Sequence, residues 1–156
     1  MDDRGIFINH EKGTVVIKMR RHDFEDKVFE VALEKLLREF RHHRVSAAYW
    51  AGGSVLRVYL ADYFYGWIRE KNYGENIITR AKCNFSKGDK FSEDIGFFIA
   101  QDRMDAKISA VAFEFLCDFF EDMNAFLVKV TKKAESLGTF TLKTLAHIKE
   151  LGESDE

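Results

Sequence analysis

The segment from Val55 to Ile68 constrains the fold of this chain more than any other part of the sequence. It carries only two charged residues, Arg57 and Asp62, and on a helical wheel its apolar positions point in nearly every direction. A helix with this pattern cannot lie on a protein surface with only one face covered. We expect it to be central in the fold, with elements packed on several sides, or to be completed by a second subunit.

Aromatic residues with a polar tip are concentrated in and around this segment. All five tyrosines and both tryptophans lie between Tyr49 and Tyr73, whereas the fifteen phenylalanines are spread from Phe7 to Phe140. Tyr and Trp favour boundaries between apolar and hydrated surroundings, because the ring is apolar and its polar atom needs a partner. The cluster predicts an interior helix, a homo-oligomer interface or a pocket. The interface or pocket candidates are Tyr49, Trp50, Arg57, Asp62, Tyr65 and Trp67.

A membrane-spanning interpretation of residues 45–68 is disfavoured by charge. Arg57 and Asp62 lie near the middle of the stretch, and each would cost about 2.5–3.5 kcal/mol on insertion scales. Their spacing also places them poorly for pairing on one helix face. We therefore expect no membrane span.

The N-terminus lacks the basic and apolar run of a secretory signal, which predicts a cytoplasmic location.

Composition predicts one globular domain without a catalytic signature. The 156 residues are 46% apolar and 32% charged, which is enough to bury a core, and we expect a single domain over 1–151 with an acidic disordered tail at 152–156. The two cysteines have no CxxC spacing, so no disulfide framework, zinc site or other metal is predicted. GxSxG, P-loop, GxGxxG and HExxH motifs are absent. No catalytic residue and no cofactor are therefore assigned.

The order of strand-like and helical patterns predicts an α+β fold. Two β-rich runs around Gly13 predict a hairpin over about 5–19, and runs at 77–85 and 95–100 predict a second hairpin over about 77–100. The predicted order is therefore hairpin, helices, hairpin, helices, rather than a succession of βαβ units. Helical spacing predicts three to four helices, at about 24–44, 54–71, 105–136 and 141–151, with Gly138 between the last two.

Cationic residues cluster on both predicted hairpins and at the end of the first helix. The net charge of −2 gives no global reason to expect a nucleic-acid partner. A local surface for binding nucleic acid stays an alternative if Arg80 and Lys82 lie on the same face as the cations of the first hairpin. The macrodipole accounts equally well for cations at the helix end. The nucleic-acid candidates are Arg20, Arg21, Arg38, Arg41, His42 and His43.

Two short patterns resemble known families. Arg38 and His43 have the R-x4-H spacing, which resembles that of HEPN ribonucleases and implies action of Arg and His on an RNA phosphodiester. The HEPN fold is all-helical, whereas hairpins are predicted here. The order of Tyr65–Arg69, Gly96–Ala100 and Asp105 is similar, over less than a fifth of the chain, to short motifs of plasmid antirestriction proteins. A glycine doublet and a proline of that pattern are missing, so no function is carried over.

Three carboxylates share one face of the predicted third helix. Glu114, Asp118 and Asp122 are spaced at i, i+4 and i+8, so they repel one another unless they are hydrated or paired with a basic partner.

The whole pattern predicts a non-enzymatic protein that acts through macromolecular binding or homo-oligomerisation, with the aromatic segment at the interface. The alternative is a small nucleic-acid-binding or RNA-cleaving protein that uses the basic hairpins with Arg38, His42 and His43.

Overall fold

The computed structural model describes residues 5–42 and 53–153. Contacts within the chain divide it into two compact units, residues 1–116 and 117–156. The first unit contains one antiparallel three-stranded sheet in the order β1-β2-β3 together with helical segments, which confirms the α+β class. The strands are β1 (Gly5–Asn9), β2 (Thr14–Arg20) and β3 (Asn76–Lys82), and the α-helices are α1 (Arg21–His42), α2 (Gly53–Glu70) and α3 (Glu93–Glu153). Helix α3 continues into the second unit.

The sheet has one buried face and one open face. Strands β2 and β3 alternate between buried and more exposed residues, and successive side chains of a strand point to opposite faces. Gly13, with φ of 53°, closes the β1–β2 hairpin in the left-handed region that favours glycine. The buried positions, which we call the inner face, are Val15, Ile17 and Met19 of β2 and Ile77, Thr79 and Ala81 of β3.

Helices α1 and α3 cover the inner face. The Thr79 hydroxyl donates a hydrogen bond of 2.8 Å to the carbonyl of Ala100, and Gly96 lies directly against the side chain of Val15. Helix α1 follows β2 without a loop and contacts both β2 and β3. Its fully buried residues Phe24, Val28 and Ala32 recur every four positions, which is the spacing of one helix face.

The second half of the predicted second hairpin is wrong. Residues 95–100 form the first turns of α3, and β3 pairs with β2 instead. Helix formation starts at Ser92, whose hydroxyl accepts a hydrogen bond of 3.4 Å from the amide of Ile95. Beyond this run, Ala100, Met104 and Ile108 are buried at every fourth position. A short apolar run is compatible with strand or helix, and here the residues that follow it set a helical period.

The predicted helices at 105–136 and 141–151 are parts of the single helix α3. Gly138 does not end it. The hydroxyls of Thr139 and Thr141 donate to the carbonyls of Glu135 and Leu137, four residues earlier, at 3.0 and 2.9 Å. The helices predicted at 24–44 and 54–71 correspond to α1 and α2. The single domain over 1–151 stays a prediction. Helix α3 includes residues 152 and 153 of the predicted tail, and 154–156 lie outside the described residues.

The close approach of α3 to the sheet is testable at Gly96. A β-carbon added there would lie 2.6 Å from Cγ2 of the buried Val15, whereas one added at Gly66 of α2 meets nothing within 4 Å. We expect Gly96→Ala to lower the free energy of unfolding by about 1 kcal/mol, because overpacking outweighs the gain in helix propensity. Gly66→Ala should instead raise it by about 0.5–1 kcal/mol. Urea unfolding followed by circular dichroism measures both, and equal stabilisation by the two variants would contradict this contact.

Candidate functional site

The aromatic residues of α2 form the centre of the first unit. Phe64 and Phe115 are fully buried and meet edge to face with ring centroids 5.0 Å apart. Tyr63 and Trp67 also contact Phe115, at centroid distances of 6.0 and 5.3 Å. On the other side, Phe29 of α1 contacts Phe64 at 5.3 Å. Helix α2 is thus covered by α1 and α3, which explains its nearly continuous apolar sequence.

Two tyrosines are hydrogen-bonded to α1, Tyr65 through its hydroxyl and Tyr73 through its backbone carbonyl. The Tyr65 hydroxyl donates a hydrogen bond of 2.8 Å to Oδ1 of Asp26. Burial of the ring, and then this hydrogen bond, raise the pKa of Tyr65 to about 12. Burial, followed by the charge of Glu114, also raises the pKa of Tyr73. The carbonyl of Tyr73 accepts a hydrogen bond of 2.9 Å from Nη1 of Arg21.

The remaining interface candidates are spread over different surroundings. Arg57 and Asp62 are both exposed, so the two charges of the apolar helix lie in water. Trp67 is half-buried, and the ammonium of Lys71 lies 4.4 Å from the centroid of its ring. Tyr49 and Trp50 lie outside the described residues. An interface role for this set stays a prediction.

The nucleic-acid candidates are not gathered into one site. Arg21 binds Glu25 at 2.6 Å, and Arg38 pairs with Glu34 at 3.3 Å, so each has a carboxylate partner on its own helix. The two arginines are about 25 Å apart along α1, given 1.5 Å per residue. The side chains of Arg41 and His42, and all of His43, lie outside the part of the chain that the structure describes. Arg20 ends β2 and is exposed.

The register of the sheet brings a different set of cations together. Thr14 pairs with Lys82, and Lys18 pairs with Ile78, so the even positions of β2 and β3 share the open face. Arg80 and Lys82 therefore lie on the same face as Lys18 and Arg20. The odd positions of β1 belong to this face too, because Phe7 pairs with Val16. We call it the outer sheet face. The sequence predicted this shared face only on the condition that both hairpins present their cations to the same side. The condition could not be checked from sequence, because it depends on the pairing of strands that are far apart in the chain.

A second candidate surface lies on α3 in the second unit, and the sequence analysis missed it. Large apolar side chains are exposed there, and from Phe120 to Leu137 they recur, together with Met123 and Ala134, at spacings of three and four. We call this surface the α3 apolar face; its exposed members are Phe120, Phe126, Leu127, Val130, Leu137 and Leu145. The same spacing is visible in the sequence. The predicted helix end at Gly138 divided this pattern between two separate helices.

A cavity of about 340 Å³ lies at the end of β3 beside the start of α3. Lys82, Lys90 and Arg103 line it together with Asp89. Sγ of Cys83 lies 3.6 Å from the carbonyl oxygen of Asp89. The lining of this cavity contains a thiol but no histidine to act as its base, so we assign it no nucleophilic chemistry.

The raised pKa of Tyr65 predicts a loss of stability at alkaline pH. The folded-state pKa of about 12 lies above the ordinary value of 10, so the stabilisation is complete below pH 10 and is lost as pH rises through 12. We expect Tyr65→Phe to be less stable at neutral pH by about 0.5–1.5 kcal/mol and to lack this part of the alkaline decline. Urea unfolding across this pH range measures it. Tyr59→Phe, at an exposed position of α2, should leave the decline unchanged. An alkaline decline in Tyr65→Phe equal to that of the wild type would contradict the raised pKa of Tyr65.

Within the described ranges, neither a membrane span nor a metal site adds a functional assignment, and similarity to known proteins adds none either. Among residues 5–42 and 53–153, no helix is long and apolar enough to cross a membrane. Within the same ranges, His, Cys, Asp and Glu form no group of three or more that could hold a metal ion. No protein-family model, curated protein or solved structure matches the chain.

Proposed function

We propose that this protein is a non-enzymatic homo-oligomer that assembles through the α3 apolar face. The observation that carries the proposal is the exposure of this face along a single helix. Nearly every residue from 120 to 145 is exposed, including the large apolar ones. Contiguous exposed apolar surface of this kind is typical of interaction sites, because leaving it in water forfeits about 25 cal/mol per Å² of apolar area.

Most of the large apolar side chains exposed between residues 120 and 145 lie on one stripe, whereas Val128, Phe140 and Leu142 lie off it. With 3.6 residues per turn, Phe126, Leu127, Val130 and Leu137 all lie within about 60° of Met123 around the helix. Spacings of three and four residues are those of helices that pack side by side in coiled coils. Val128, by contrast, points about 140° away from Met123. The stripe therefore has the width and period that a second helix covers.

Charges beside the stripe favour a second, antiparallel copy as the partner. Asp122 and Lys129 are exposed and lie on the same flank of the α3 apolar face, about 100° and 120° from Met123. When two copies cross between residues 125 and 126 in antiparallel orientation, Asp122 of each lies opposite Lys129 of the other. The same alignment brings Phe120 within one residue of Val130 and Met123 within one residue of Leu127 along the helix axis. In a parallel pair, residues on the same flank lie on opposite sides of the contact, so Asp122 and Lys129 would have no such pairing.

This proposal keeps the predicted class of function and moves the interface from α2 to α3. Helix α2 contributes Leu60, Phe64 and Ile68 to the core of the first unit and exposes Val58 and Tyr59, which is less apolar surface than the α3 apolar face offers. A cytoplasmic location stays a prediction. RNA cleavage by Arg38, His42 and His43 also stays a prediction, and the Arg38–Glu34 ion pair gives it no support.

Two valines of α3 form a matched test of the interface. Val130 lies on the α3 apolar face and is 46% exposed, whereas Val128 lies off it and is 45% exposed. We expect Val130→Asp to raise the dimer dissociation constant at least about tenfold, because a carboxylate enters an apolar contact. Light scattering over a range of protein concentrations measures it.

Val128→Asp controls for the loss of helix propensity, which is the same for both variants, and should leave the dissociation constant within about twofold. A wild-type protein that is monomeric up to about 100 µM, a concentration at which a contact worth about 5.5 kcal/mol would hold, contradicts the proposal. An equal effect of the two variants contradicts this interface.

The antiparallel orientation predicts a charge-reversal rescue. Asp122→Lys places a lysine opposite Lys129 of the second copy, and we expect weaker dimerisation by about threefold to tenfold at low salt. Adding Lys129→Asp in the same chain should restore the affinity, because both pairs re-form with reversed sign. The two positions are seven residues apart, about 10 Å along the helix, so they do not pair within one chain. Sedimentation equilibrium measures each variant, and a double variant weaker than both single variants contradicts the orientation.

A further inference from the structure

The outer sheet face is cationic, and in the described part of the chain its residues are exposed or half-buried. The helices pack on the inner face, which leaves the even positions of β2 and β3 and the odd positions of β1 open. Four of these positions are cations, namely Lys18, Arg20, Arg80 and Lys82, and none of the outward positions of the three strands is a carboxylate. Both strands that carry the cations thus present the same sign of charge to one surface.

The cations follow a path across the sheet. Arg80 and Lys82 are two positions apart on β3, and Lys18 and Arg20 are two positions apart on β2. The register offsets the pairs, so the path runs from Lys82 to Arg20 over about 20 Å, given about 3.4 Å per residue. A linear polyanion lying diagonally on the sheet would meet all four in turn.

An aromatic ring lies beside this path. Phe7 is 58% exposed and pairs with Val16, which in turn pairs with Arg80. The edge of its ring lies beside Gly5, because a β-carbon built on Gly5 would come within 3.0 Å of Cε2 of Phe7. Gly5 is the register partner of Lys18. The glycine therefore leaves room for this ring next to a cation, and the ring is more than half exposed.

We propose that the outer sheet face binds single-stranded nucleic acid. Phosphates would contact the lysines and arginines, and a base would stack on Phe7, which is the combination that single-strand binding proteins use. An acidic polypeptide would satisfy the cations but has no flat group for the ring. A three-stranded sheet is only about 10 Å wide, and unstacked bases lie flat on such a surface, whereas the bases of a duplex stay in their stack.

The proposal is tested by fluorescence anisotropy of labelled oligouridylate and oligodeoxythymidylate at several salt concentrations. Lys18→Gln combined with Arg80→Gln should weaken binding at least about tenfold and flatten the plot of log K against log salt by about 1.4, since each phosphate contact contributes about 0.7 to the slope on single strands. Phe7→Leu should weaken binding at least about fivefold and leave the slope unchanged, because stacking releases no counterions. Lys107→Gln, on an exposed position of α3, is the matched control and should change neither value.

Several outcomes overturn the proposal. Absence of binding by the wild-type protein at low salt does so, as does weakening by Lys107→Gln equal to that of the combined Lys18→Gln and Arg80→Gln variant. Tighter binding of polyglutamate than of either oligonucleotide, unaffected by Phe7→Leu, assigns the face to an acidic protein instead. Circular dichroism of each variant confirms that it is folded. The proposal is independent of self-association, so the Val130→Asp variant should bind the oligonucleotides through each chain as the wild type does.

Discussion

The contact between α2 and Phe115 is the interaction on which the first unit depends. Three aromatic residues of α2, namely Tyr63, Phe64 and Trp67, meet this one side chain. The contact covers an otherwise all-apolar helix from the α3 side, while α1 covers it through Phe29. Fully burying a phenylalanine contributes about 1.5–3 kcal/mol, so the cluster is a large share of a marginal total stability. The remaining sides of α2 are exposed and carry Arg57 and Asp62 together with Val58 and Tyr59.

The apolar side chains of α3 are buried in the first unit and exposed in the second. In the first unit its buried residues, such as Met104, Ile108 and Phe115, are matched by the sheet and by α2. In the second unit apolar residues continue at spacings of three and four, but they are exposed. A single amphipathic helix gains little of its stability from propensity and most of it from packing. The α3 apolar face therefore indicates a partner, and the flanking charges favour a second copy.

Local patterns predicted the elements whose signals lie within a few residues. Gly13 between two β-rich runs predicted the first hairpin, and apolar spacing predicted α1 and α2. Residues 95–100 were misassigned because a short apolar run has no period of its own, and Gly138 was overvalued as a helix end. The outer sheet face could be foreseen only in part. Its cations come from strands more than 55 residues apart in the chain, and only their register decides which side chains share a face.

Amide hydrogen exchange along α3, measured over a range of protein concentrations, tests most directly whether a second copy covers the α3 apolar face. We predict that amides of residues 120–145 exchange more slowly as concentration rises, whereas amides around Phe115 show protection that does not depend on concentration. Rapid exchange of residues 120–145 at every concentration would contradict self-association through this face.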